Sequence, residues 1–254
     1  MKTFTFKKYL KYCIIKWVIK MINNIKVEIC CGTIDDCLVA AKHNVDRIEL
    51  NSALELGGLT PSIATLRMAK KMVDLPICCM VRPRTSGFMY TNTQIESMFM
   101  DARILLEENA DGIVFGFLNH DHTVDKELTM KMVELIHSYG KEAVFHKAFD
   151  ECYDLEKAIV DLIECKVDRI LTGGGKVDII TGSKICGDLQ DKYGDKIQIL
   201  VGGGVRIHNI NDIVNLSHTG QVHMTAKQTF FDDGEYVAVD DETLRKSLEM
   251  LKNA

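Results

Sequence analysis

From residue 25 onward one unit recurs: a short run of apolar and β-branched residues, a turn, then a stretch of roughly 10–18 residues with helical periodicity. The strand-like runs fall at 26–30, 47–51, 77–82, 112–115, 143–147, 169–172, 197–201 and 221–224, and helical stretches follow at 33–43, 62–73, 93–109, 125–139, 154–166, 178–193, 207–216 and 242–252. Eight such units with no break in composition predict an α/β chain folded as a single-domain (β/α)8 TIM-like barrel over residues 25–254. A doubly wound open sheet would show fewer strands and a Gly-rich first turn, whereas the first turn here is Cys30-Cys31-Gly32-Thr33. The unit also echoes itself: Val45-Asp46-Arg47-Ile48 returns as Val167-Asp168-Arg169-Ile170, and Ala110-Asp111-Gly112-Ile113 has the same shape.

Residues 1–24 stand apart as a basic N-terminal extension. They hold six lysines and no acid, so a chain of 31 basic and 36 acidic residues leaves 25 against 36, or −11, for the remainder. That balance argues against nucleic acid as a partner. Lys11, Lys16 and Lys20 interrupt the apolar run at 9–22, so no transmembrane segment is expected. The nine cysteines are odd in number, include the adjacent pairs Cys30–Cys31 and Cys78–Cys79, and form no Cys-x-x-Cys, a reduced pattern that points to the cytoplasm.

In such a barrel the inward residues near the carboxyl ends of the strands line the site, and the period of two assigns the facing. One face of the strands collects Glu28, Cys30, Glu49, Asn51, Cys78, Met80, Arg82, His146 and His223, while the other is aliphatic or aromatic, so the charged face is expected to be the lumen. One reading is a self-satisfied ion-pair network. The other is a pocket for a small anionic ligand, with Glu28 or Glu49 as general base, His146 as acid or base, and Arg82 and Arg84 as anion clamps. Thr172-Gly173-Gly174 after strand 6 and Gly203-Gly204 after strand 7 could hold a phosphate or carboxylate on backbone N–H groups, or serve only as tight turns. Soft donors suited to copper(I) are present too, but adjacent cysteines on one strand point to opposite faces, and the His120-x-His122 loop lacks a third placed ligand.

Six blocks, in order and spacing, resemble the CutC family of copper homeostasis proteins: VEIC at 27–30, DRIEL at 46–50, GGLTPS at 57–62, MVRPR at 80–84, FHKAFD at 145–150 and LTGG at 171–174. The resemblance runs from about residue 25 to about 225 and implies a cytosolic, homo-oligomeric TIM-like barrel linked to copper handling. It implies copper(I) at cysteines near the ends of strands 1 and 2. Cys30 keeps the first, Cys31 lies beside it, and Asn51 stands where the family usually has Cys. Lys147 replaces the family's usual Arg, and Gly173 a common Ser. Cys30 and Cys31 are therefore the candidate metal ligands. The alternative is an enzyme acting on a small anionic or phosphorylated metabolite through Glu28, Glu49, Arg82 and His146.

Overall fold

The computed structural model describes residues 24–175 and 177–252, so the lysine-bearing extension up to residue 23 lies outside the described residues. Eight parallel strands close into a barrel in sequence order: β1 (Lys26–Cys31), β2 (Arg47–Leu50), β3 (Ile77–Met80), β4 (Gly112–Phe115), β5 (Glu142–Phe145), β6 (Arg169–Thr172), β7 (Gln198–Gly202) and β8 (Gln221–Met224), with β8 pairing back to β1. Around them lie α1 (Ile34–Lys42), α2 (Ile63–Met72), α3 (Asn92–Glu107), α4 (Lys126–Ser138), α5 (Leu155–Glu164), α6 (Ile179–Tyr193), α7 (Ile210–Ser217) and α8 (Asp241–Lys252).

The helices start where the sequence supplies a side-chain oxygen for an otherwise unpaired N–H. Thr33, Ser62, Thr91, Asp125, Asp154 and Asp178 each cap a helix, and Thr33 with Asp36 and Thr91 with Gln94 form reciprocal capping boxes. The repeated Asp before β2, β4 and β6 has an equally local cause. Asp46 gives its N–H to the Val27 carbonyl and takes the Val27 N–H on its carboxylate at 2.9 Å; Asp111 does the same with Ile77 and Asp168 with Ala143. Each Asp is a two-point clasp joining the start of one strand to the start of the next: β1 to β2, β3 to β4, β5 to β6.

The outward strand face packs into one continuous apolar layer under the helices, including Ile29, Cys31, Ile48, Leu50, Phe115 and Phe145. The inward face carries the polar groups plus a small separate cluster of Cys78, Met80, Val114 and Val144. The alternation in the sequence thus gives the facing correctly.

The structure differs from the sequence expectation in two respects. Strands 3 and 5 end at Met80 and Phe145 rather than at 82 and 147, because Thr60 engages the backbone N–H and carbonyl of Arg82, and Lys147–Glu151 forms a 3-10 turn. Between β8 and α8 stands an unexpected hairpin, β9 (Lys227–Phe231) and β10 (Glu235–Val239). Its turn residues Asp233 and Gly234 were a legible signal. The hairpin is fixed to the barrel where the Val239 N–H reaches the Asp36 carboxylate at 2.7 Å.

Candidate functional site

The lower lumen is an ion-pair network centred on Glu28. Arg47 Nε donates to Glu28 Oε2, Arg169 Nη2 lies 3.5 Å from the same oxygen, and His223 Nδ1 is 2.8 Å from Oε1. Arg169, with no solvent exposure, also donates to Glu142 at 2.6 Å. Burial acts to raise the Glu28 carboxyl, but Arg47 and Arg169 outweigh it and hold the group well below the usual carboxylate range. Glu28 is therefore a structural anion with its oxygens engaged, not a free base. Sequence reasoning missed Arg169 and Glu142 here, although the repeat of Val-Asp-Arg-Ile placed Arg169 in register with Arg47.

Above this network, at the ends of β1, β2 and β8, Cys30 Sγ, a Glu49 carboxylate oxygen and a His223 ring nitrogen all lie within 4.8 Å of one another. Asn51 bridges the group: its Nδ2 donates to Glu49 Oε2 at 2.8 Å and to Cys30 Sγ at 3.3 Å. His223 Nε2 is 3.9 Å from Glu49 Oε2. The His223 imidazole is pushed down by burial but raised more by Glu49 and Glu28, and the Cys30 thiol is pushed up by burial and by Glu49. Three donors of this kind, with the histidine oriented from behind by a second carboxylate, are of the type and spacing that could hold a metal ion. Cys31 is not part of it. It turns into the outer apolar layer with no solvent exposure, beside Cys37. The adjacent cysteines face opposite ways, as a regular strand dictates. His223 therefore joins Cys30 in the place the sequence reading gave to Cys31.

At the mouth, the two glycines of the GGLTPS block adopt positive φ, 87° at Gly57 and 84° at Gly58, which turns both carbonyls onto Arg82 Nη1 at 3.1 and 3.2 Å. Arg82 also lies over the Phe88 ring at 5.2 Å, and that ring sits 4.8 Å from the His146 ring. His146 is neutral, pushed down to about 3 by burial and by Arg82. Arg84 is used differently from the expected clamp. It donates to the carbonyls of Thr85, Ser86 and Met89 and so shapes its own loop.

The two glycine turns also part ways. After β6, the Asp150 carboxylate takes the N–H groups of Gly173 and Gly175 and the Thr172 hydroxyl, while Gly174 N–H bonds to Thr172 Oγ1. An anion does sit on this turn, and it belongs to the chain. After β7, Gly203 and Gly204 are exposed at φ 98° and 101°, and the Lys147 ammonium lies close over Gly203.

Fold and site together define a (β/α)8 barrel protein with a polar, partly sulfur-containing cluster of side chains at the carboxyl ends of its strands. The chain belongs to the CutC family, whose sequence pattern matches residues 25–228. It is 39% identical to the CutC family protein of Treponema denticola over 80% of this chain and 82% of that one, and 33% identical to the human copper homeostasis protein cutC homolog over 82% and 75% respectively. The crystal structure of CutC from Streptococcus agalactiae superposes with a TM-score of 0.74 at 29% identity, covering 79% of this chain and 98% of that one. Phosphoribosyl anthranilate isomerase from Thermococcus kodakaraensis shares the fold alone, at 16% identity, 91% and 100% coverage and a TM-score of 0.59.

Proposed function

We propose that this chain is a copper homeostasis protein that takes copper(I) as its cargo between Cys30 Sγ and His223 Nε2, with Glu49 beside them. The single observation that carries the reading is the convergence of those three side chains within 4.8 Å. A thiolate and an imidazole are soft and borderline donors that suit copper(I) at low coordination number, and Glu28 on His223 Nδ1 aims the other ring nitrogen toward Cys30 and Glu49. Asn51 cannot supply a second thiolate. Its amide has to swing off Cys30 and Glu49 when the ion enters, and the ion displaces protons from Cys30 and His223, so apparent affinity rises with pH. The eight free thiols among the described residues support a reducing compartment such as the cytoplasm. Assembly into a homo-oligomer is part of the same reading and is measured by analytical ultracentrifugation.

Anaerobic competition titration against a copper(I) chelator tests the site. The expected result is one-to-one binding, weakened about a hundredfold in Cys30→Ser and in His223→Gln, unchanged in Cys31→Ser and tighter in Asn51→Cys. Tight one-to-one binding that persists in the Cys30→Ser/His223→Gln double variant would overturn the assignment.

A further inference from the structure

The mouth of the barrel holds a second set of unmatched polar groups that copper does not use. Arg82 and His146 are both more than nine-tenths buried, and neither Arg82 Nε nor His146 Nε2 has a hydrogen-bond partner among the described residues. The tautomer of His146 follows from geometry. Its Nδ1 accepts the Ala148 N–H at 3.1 Å, so in the neutral ring the proton sits on Nε2, and both unmatched atoms are donors.

Register brings them to one level. Met80, Val114 and Val144 are side-by-side partners on β3, β4 and β5 and all face the lumen. The ladder continues just past the strand ends, where the Val81 N–H reaches the Val114 carbonyl and the His146 N–H the Phe115 carbonyl, both at 2.8 Å, so Arg82 and His146 follow on either side of Gly116. That glycine is required: a Cβ on Gly116 would lie 2.5 Å from His146 Cε1. The ring thus leans over the middle strand, toward the Arg82 side, and Phe88 contacts both groups.

Charge accounting points to the sign of the occupant. In the lumen, the guanidinium groups of Arg47 and Arg169 are engaged by the carboxylates of Glu28 and Glu142. Lys147 has Asp150 at 3.4 Å. Arg82 has no carboxylate partner among the described residues; it meets the Gly57 and Gly58 carbonyls, the Phe88 face and the Tyr90 hydroxyl. A buried guanidinium in this state is costly unless an anion joins it.

We propose that Arg82 and His146 form a binding site for a small carboxylate-type monoanion, seated over Gly116 beneath Phe88. One positive charge matches one negative charge, and two N–H donors match the two oxygens of a carboxylate. A phosphate dianion would need a second charge and more donors than the site offers. Phe88 covers the position, and Arg84 holds the loop at 83–91 that carries it. The site is independent of copper, because neither donor belongs to the Cys30–Glu49–His223 group.

Acetate, with inorganic phosphate for comparison, is the probe for calorimetric and ligand-observed NMR titration of the full chain without metal. Saturable one-to-one binding of acetate, stronger than that of phosphate, is expected. Arg82→Gln and His146→Phe should each weaken it about tenfold or more, the loss of one charge-assisted or buried hydrogen bond. Should Arg82→Gln fail to fold, Arg82→Lys keeps the charge but loses the planar guanidinium fork with its Nε–H, and the same weakening is expected. No saturable acetate binding by the unmodified chain overturns the proposal. So does binding unaffected by Arg82→Lys and His146→Phe, or binding that disappears in Lys147→Gln while surviving both, which would place the anion on the exposed rim.

Discussion

Glu28→Gln is expected to destabilise the metal-free protein by about 3–5 kcal/mol, measured by urea unfolding, because it leaves Arg47, Arg169 and His223 around a neutral amide in a sealed lumen. The amide also presents a donor where two guanidinium donors already point. The exposed pair Lys131–Glu127, one helical turn apart on α4, is the internal control: Glu127→Gln should change stability by about 0.5 kcal/mol or less. The difference between the two is burial, since the Glu28 side chain is 2% exposed and that of Glu127 77%. The pH dependence has a definite sign. A carboxyl held below its unfolded value contributes stability that is present above the unfolded pKa near 4.5 and is lost as pH falls through the folded one. The unmodified protein should therefore lose stability progressively on the acid side, and Glu28→Gln should flatten that limb. An acid limb unchanged by the substitution would show that other carboxylates govern it.

Gly182→Ala is expected to cost about 3 kcal/mol or more, the upper end for overpacking, and to act through backbone alone. Gly182 lies in the first turns of α6, where its Cα surface rests against the Gly173–Gly174 turn; a Cβ there would collide with the Gly173 carbonyl oxygen. The reverse approach is as close, because a Cβ on Gly174, at φ 81°, would strike the Gly182 backbone. No side chain can rotate away to relieve either clash. Since the same turn receives Asp150, thermal unfolding of Gly182→Ala should be matched by that of Asp150→Asn, both loosening β6 from α6. Gly187→Ala makes a further comparison. It meets the Leu216 carbonyl at 2.5 Å and the His218 ring, the latter able to turn aside, so a smaller loss is expected.

Periodicity made the barrel legible because parallel strands and their crossover helices impose repeats of 2 and 3.6 that survive in any window of the chain. The lumen face was legible for the same reason, down to Glu28, Glu49 and His146. What alternation cannot supply is pairing across the barrel: Arg169 meets Glu28 from a strand 141 residues away, and nothing local marks that contact. The Asp150 carboxylate on the Gly173 turn was hidden similarly, since the glycines and the acid lie on successive units and only the closed ring brings them together. Cys31 was drawn into the site by its neighbour's likeness to a family motif, whereas the strand's own pleat sends it outward. The hairpin Lys227–Val239 was missed because the repeat leads one to expect a helix straight after the last strand, although Asp233-Gly234 announced a turn.

The aspartate clasps divide the ring into pairs. Asp46, Asp111 and Asp168 fasten β1 to β2, β3 to β4 and β5 to β6, and each bond is made within one β-α-β stretch of chain. The barrel is in that sense assembled from doublets, and its natural seams run between them. A chain divided between α4 and β5, near Gly140, separates two doublets and leaves every clasp whole, while a division after α3, near Asn109, cuts Ile77 from Asp111. Two co-expressed fragments meeting at the first division should recombine into a folded barrel far more readily than two meeting at the second.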